Sequence, residues 1–149
     1  KGYQLVVLKP KSKKEWLTLT FSDKIRNSIP SGSPEELTVA LQLVTLGKKV
    51  NKRCRKFNQE GKVQKEFLLH GLAAELTEAL AKWSNAKVNK LAGWENTIRL
   101  SPGYPVWPKL SQQEKMFSVL KPARIKVELS ESHQMDPEFS TSAIIFSKD

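Results

Sequence analysis

Three prolines within seven residues, Pro102, Pro105 and Pro108, constrain this chain more than any other feature. Each fixes its backbone φ and removes an amide donor, so neither a helix interior nor a central strand can run through 102–108. The segment Arg99-Leu-Ser-Pro-Gly-Tyr-Pro-Val-Trp-Pro-Lys-Leu-Ser-Gln-Gln, residues 99–113, therefore reads as a rigid, unpaired loop beside one arginine. Gly103 has no Cβ to hold a ligand off the main chain, and Tyr104 adds a flat amphipathic ring. The same residues also fit a plain proline-rich connector into a helix.

Around that loop the patterning alternates in type. Gln4 to Leu8 and Trp16 to Phe21 read as short strands joined by a lysine- and proline-rich turn, and Ser28 to Pro34 reads as a loop. Leu37 to Leu46 is dense in leucine and β-branched residues and is expected as a buried strand ending at Gly47. Helices follow over 48–59 and 62–84, split by Gly61. In the second, Phe67, Leu69, Leu72, Leu76, Leu80 and Trp83 are spaced for one buried face, while Lys82 stays wet. Ser111 and Glu114 have capping-box spacing ahead of a short helix that stops before Pro122. Ile125, Val127 and Leu129 alternate with charged residues as a strand, and Ser140 to Ser147 makes the last one. Helices and strands cluster without a βαβ rhythm or an internal repeat, which gives an α+β fold with a mainly antiparallel sheet.

A chain of 149 residues fits one domain with a core of its own. Cys54 stands alone, so there is no intramolecular disulfide and no cysteine-based zinc site, and a reducing, cytoplasmic setting is expected. No apolar run approaches bilayer-spanning length, so no membrane role is expected. The net charge of +10 implies an acidic partner. Six of the nine residues from 48 to 56 are basic: Lys48, Lys49, Lys52, Arg53, Arg55 and Lys56. On a helix they fall within ~160° of arc, with Val50, Cys54 and Phe57 opposite. That face is either a solvated surface or a docking site for an acidic protein; the lack of interleaved aromatics speaks against nucleic acid. His70 and His133 lie in different segments and make no metal site. Hydrolase elbows, P-loops and dinucleotide fingerprints are missing, so no catalytic residue is assigned.

Arg99-x-x-Pro-Gly-Tyr-Pro-x-x-Pro resembles the R-x-x-x-G-Y-P-x-C-P loop of the activation domain of cobalamin-dependent methionine synthase, which binds S-adenosylmethionine. Three further blocks resemble that family in the same order: Val39 to Gly47, Phe67 to Leu80, and Val127 to Ser132 with Met135-Asp-Pro and Ser140 to Phe146. Together they run from about residue 37 to residue 146, most of one domain over 1–149 that is short at both ends relative to the family. The resemblance implies that Arg99 meets the carboxylate of the methionine moiety and that Ser101 acts through its backbone. It further implies that Gly103 and Tyr104 line the ligand and that Glu78 faces the sulfonium and ammonium charge. It also implies cobalamin on a partner domain or subunit, and an acidic flavodoxin-type electron donor. The chain would then present S-adenosylmethionine for reductive methylation of cob(II)alamin. The alternative is a non-catalytic interaction module that docks on an acidic protein through the basic helix. Trp107-Pro108-Lys109 departs from the family's cysteine, proline and acidic residue, which is expected to alter the pocket rim. The family's N-terminal aspartate and its C-terminal His-Pro-Asp stretch and tyrosine have no counterpart here.

Overall fold

The computed structural model describes residues 3–8, 15–27 and 38–148; the expected turn before Trp16 and the loop from Ser28 to Pro34 lie outside them. Strands β1 (Tyr3–Leu8) and β2 (Glu15–Phe21) form an antiparallel pair, with Tyr3 opposite Phe21. A second antiparallel sheet has the order β3-β7-β4, built from β3 (Val39–Thr45), β4 (Thr97–Leu100) and β7 (Ser140–Ser147). Strands β5 (Glu128–Leu129) and β6 (Met135–Asp136) make a small third ladder. The helices are α1 (Lys48–Gln59), α2 (Val63–Ala92) and α3 (Gln112–Leu120). The architecture is the expected α+β with antiparallel pairing throughout.

β7 occupies the centre of its sheet because its residues 142–146 are all buried, whereas β3 and β4 each keep an open edge. Strand alternation sends Ile144 and Phe146 to one face. There they join Leu19, Phe21, Trp107, Met116 and Phe117 in the main core, and complete burial of an Ile or Met side chain contributes about 1.5–3 kcal/mol. Gln112 ties α3 to β2 by accepting from the Thr20 amide at 3.0 Å. The opposite face of the sheet carries Gln42, Ala143 and Arg99, and α2 lies over it.

Five expectations need correction. Helix α2 is not buried through Leu72 and Leu76, which are 56% and 48% exposed, nor through Trp83. Its buried residues are Ala73, Thr77 and Ala81, on a stripe about 120° round the helix from those leucines. Small side chains let the helix axis approach the sheet, and Thr77 satisfies its hydroxyl by donating to the Ala73 carbonyl at 2.8 Å. The helix also runs past residue 84 to Ala92, where Gly93 closes it in the left-handed conformation. Arg99 does not open a loop; it lies in β4, paired with Ile145, and the unpaired segment begins after Leu100. The Ser111–Glu114 capping box does not form: Ser111 is itself helical and makes no side-chain cap. Of the strand expected over Ile125, Val127 and Leu129 only Glu128–Leu129 pairs, because Ile125 closes a 3-10 turn, Pro122–Ile125, and Lys126 leaves it in the left-handed region. The break between α1 and α2 does fall at Gly61, whose φ of 68° suits glycine, and the Lys62 amide returns to the Phe57 carbonyl at 2.8 Å.

Candidate functional site

Arg99 is the centre of the one place where charge enters the sheet. β4 is an edge strand, and alternation puts Ile98 and Leu100 on the core face and Arg99 on the α2 face. From there the side chain crosses β7 diagonally above Ala143, a residue small enough to leave room for it. Its Nε donates to Gln42 Oε1 at 2.8 Å, its Nη2 donates to Thr141 Oγ1 at 3.0 Å, and its Nη1 lies 3.7 Å from Glu78 Oε2. Gln42 is buried and uses its other end as well, donating from Nε2 to the Ala81 carbonyl at 3.0 Å. The guanidinium is thus fixed by the other two strands of the sheet and by α2, in a setting where the Arg99 side chain keeps 23% of its surface open.

Glu78 reaches this point because it lies one residue past the buried Thr77, at the margin of the inner stripe, with its side chain half exposed. The structure therefore brings two of the expected site residues together, one cationic and one anionic. Ser101, Gly103 and Tyr104 follow along the chain, and no hydrogen bond or ion pair joins them to Arg99 or Glu78 among the described residues. Their loop is a tight turn in which the Gly103 amide donates to the Trp107 carbonyl and the Trp107 amide to the Tyr104 carbonyl, both at 2.8 Å. Gly103 has φ of 92°, and a Cβ there would meet Leu110 Cδ1 at 3.4 Å, so backbone conformation requires the glycine. Tyr104 projects outward, 65% exposed. Trp107 does not stand on a rim: it is fully buried, its ring 4.6 Å from that of Phe21, and it anchors the loop to the core.

Sequence reasoning missed Gln42 and Thr141. A glutamine interrupting the apolar run Val39-Ala-Leu-Gln-Leu-Val was the available signal, since a polar residue inside a packed strand requires a partner. A cleft of about 360 Å³ opens beside Gln42 along the free edge of β3, between Ser84 and Val88 of α2 and the Leu120–Ile125 turn.

The basic residues occupy α1 as expected, with Cys54 and Asn51 inward. They are not equivalent. Lys48 pairs with Asp136 at 3.2 Å, Lys56 with Glu60 at 3.7 Å, and the Arg53 guanidinium lies 4.5 Å over the Phe57 ring. Lys49, Lys52 and Arg55 have no ion partner among the described residues. Beneath them a hollow of about 260 Å³ is lined by Cys54, Glu66, His70 and Glu138, and burial followed by the two carboxylates pushes the Cys54 thiol above its ordinary value. No group of three or more His, Cys, Asp or Glu side chains among the described residues could hold a metal ion, and no described helix is long and apolar enough to cross a membrane.

Residues 4–149 match the family described as vitamin B12 dependent methionine synthase, activation domain. The chain is 28% identical to methionine synthase of Mycobacterium tuberculosis (strain ATCC 25618 / H37Rv) over 149 aligned residues, covering 85% of this chain and 12% of that protein. For methionine synthase of Mycobacterium leprae (strain TN) the identity is 26% over the same shares. The chain therefore spans only about an eighth of these relatives. In fold it is similar to the crystal structure of the MetH reactivation domain bound to AdoHcy, with a TM-score of 0.69 and 24% identity over 74% of this chain and 39% of that one. The family match takes in the strand that carries Arg99, the helix that carries Glu78 and the proline loop between β4 and α3, and the chain belongs to the family of vitamin B12-dependent methionine synthase activation domains.

Proposed function

We propose that this chain binds S-adenosylmethionine with Arg99 and Glu78 at its amino-acid end and presents the ligand to a cobalamin held by another domain or subunit. The observation that carries this reading is the loose pairing of Arg99 with Glu78 at 3.7 Å, on a guanidinium whose other two nitrogens are fixed by Gln42 and Thr141. An α-amino acid carries a carboxylate and an ammonium side by side, and a cation and an anion held next to each other match that zwitterion. Arg99 would take the carboxylate and Glu78 the ammonium and sulfonium charge. Ser101 and Gly103 would supply backbone to the ligand, and Tyr104 its ring. When bound, S-adenosylmethionine supplies a methyl group on a positively charged sulfur. The chain's own residues bind and orient it, with no nucleophile assigned among them. A flavodoxin-type electron donor docking on α1 and a cytoplasmic setting belong to the same reading.

Titration calorimetry with S-adenosylmethionine tests it. Wild type should bind, and Arg99→Ala should weaken binding by about 1.5–3 kcal/mol, the range for a hydrogen bond to a charged group. No heat at millimolar ligand, or equal affinity in the variant, overturns the assignment. A second reading, a non-catalytic module docking on an acidic protein, is favoured by Lys49, Lys52 and Arg55 on one face of α1, which have no ion partner among the described residues, and it survives if calorimetry is silent.

A further inference from the structure

Helix α2 carries a second apolar stripe that nothing among the described residues covers. Leu68, Leu72, Leu76 and Trp83 are exposed, and the exposed Ala79 and Ala86 continue their line. From Leu72 the spacing runs 4, 3, 4 and 3 residues, through Leu76, Ala79 and Trp83 to Ala86. That is the repeat of a helix seam rather than a scatter of surface residues. Contiguous exposed side chains of this size on one helix are the mark of an interface.

We propose that the stripe pairs with the same stripe of a second copy, the two α2 helices lying antiparallel about a two-fold axis near residues 77 and 78. The pattern is self-complementary in size. In that register Leu76 meets Ala79 of the other copy and Leu72 meets Trp83, so each large side chain faces a different one and the small residue admits the leucine. Lys87, whose amine already lies 5.4 Å over the Trp83 ring, would lay its stem against Leu68.

It is also self-complementary in charge. Glu75 and Lys82 flank the seam on one side, both exposed, and neither has an ion partner among the described residues. Seven residues apart, they are separated by about 10 Å along the helix and cannot pair within it. Across an antiparallel two-fold the same flanks meet, and Glu75 of each copy falls beside Lys82 of the other. Lys65 and Lys90 would approach each other at the two ends, which confines the seam to the stretch between them.

Sedimentation equilibrium of the 149-residue chain, at about 0.15 M salt and up to about 500 μM protein, reads the association directly. The expected result is a reversible dimer that Leu76→Glu abolishes without changing the circular dichroism spectrum. Glu75→Lys and Lys82→Glu should each weaken self-association at least tenfold, and an equimolar mixture of the two should restore it, because opposite charges then meet in both pairs. A chain that stays monomeric throughout overturns the proposal and leaves the stripe to a different polypeptide. A dimer indifferent to Leu76→Glu, or charge variants that fail to rescue each other, overturns it equally.

Discussion

Arg99 has a distinct partner at each of its three nitrogens, and only the Glu78 contact lies beyond hydrogen-bond length. Gln42 is the residue that makes this possible, because it links the guanidinium to the α2 backbone through one buried amide. Gln42→Leu would leave the Arg99 Nε without its partner and strip the Ala81 carbonyl of the donor it has beyond its helical one, which should destabilise the fold by about 1–3 kcal/mol in urea unfolding. Calorimetry on the same variant should show weaker S-adenosylmethionine binding, since the fork is no longer aimed. A variant with native stability would show that Gln42 is replaceable. The motif pointed at Arg99, but Gln42 and Thr141 lie 57 and 42 residues from it in the chain. They became its neighbours only through the register of β3 and β4 on β7, which no local pattern encodes.

At the scale of elements, α2 was legible as a helix and misread as a surface. Its leucines have the period of a buried face, but the sheet beneath already carries Gln42, Ala143 and Arg99, and the small Ala81 lets the backbone come close enough to accept from Gln42, while Ala73 packs against Cys54 and Phe139. Periodicity finds the apolar stripe with the largest side chains, not the one that packs. Ala81→Leu should therefore cost about 1–3 kcal/mol by overpacking. Leu76→Ala, at a half-exposed position, should fall within about 0.5–1 kcal/mol of wild type. Denaturant unfolding at low micromolar protein, followed by circular dichroism, separates the two, and equal losses would contradict the packing. The strand β4 was hidden for a related reason: only Thr97–Leu100 pairs, directly before the proline loop, and four residues are too few to show a period.

Over the whole molecule, the +10 charge is concentrated enough on α1 for long-range attraction to an acidic partner. Lys49→Glu with Lys52→Glu and Arg55→Glu reverses the three cations of α1 that have no ion partner among the described residues and leaves Val50, Cys54 and Phe57 in place. Its association rate with an acidic flavodoxin-type protein should fall well over tenfold, and the wild-type rate should drop steeply as salt rises. Surface plasmon resonance across a salt series checks both, and a flat salt dependence reduces the face to a solubility feature.

The central position of β7 bears on how the chain acquires its shape. Val39 to Thr45 and Thr97 to Leu100 have each other's partner in common, and that partner is Ser140 to Ser147, about a hundred residues beyond the first of them. Until Ser140 to Ser147 has left the ribosome, both flanking strands lack their ladder partner, and α2 can pack on α1 but not on the completed sheet. Assembly of the three-stranded sheet therefore lags the synthesis of its two flanking strands, while the β1–β2 pair and the packing of α1 on α2, both local in sequence, need not wait for it.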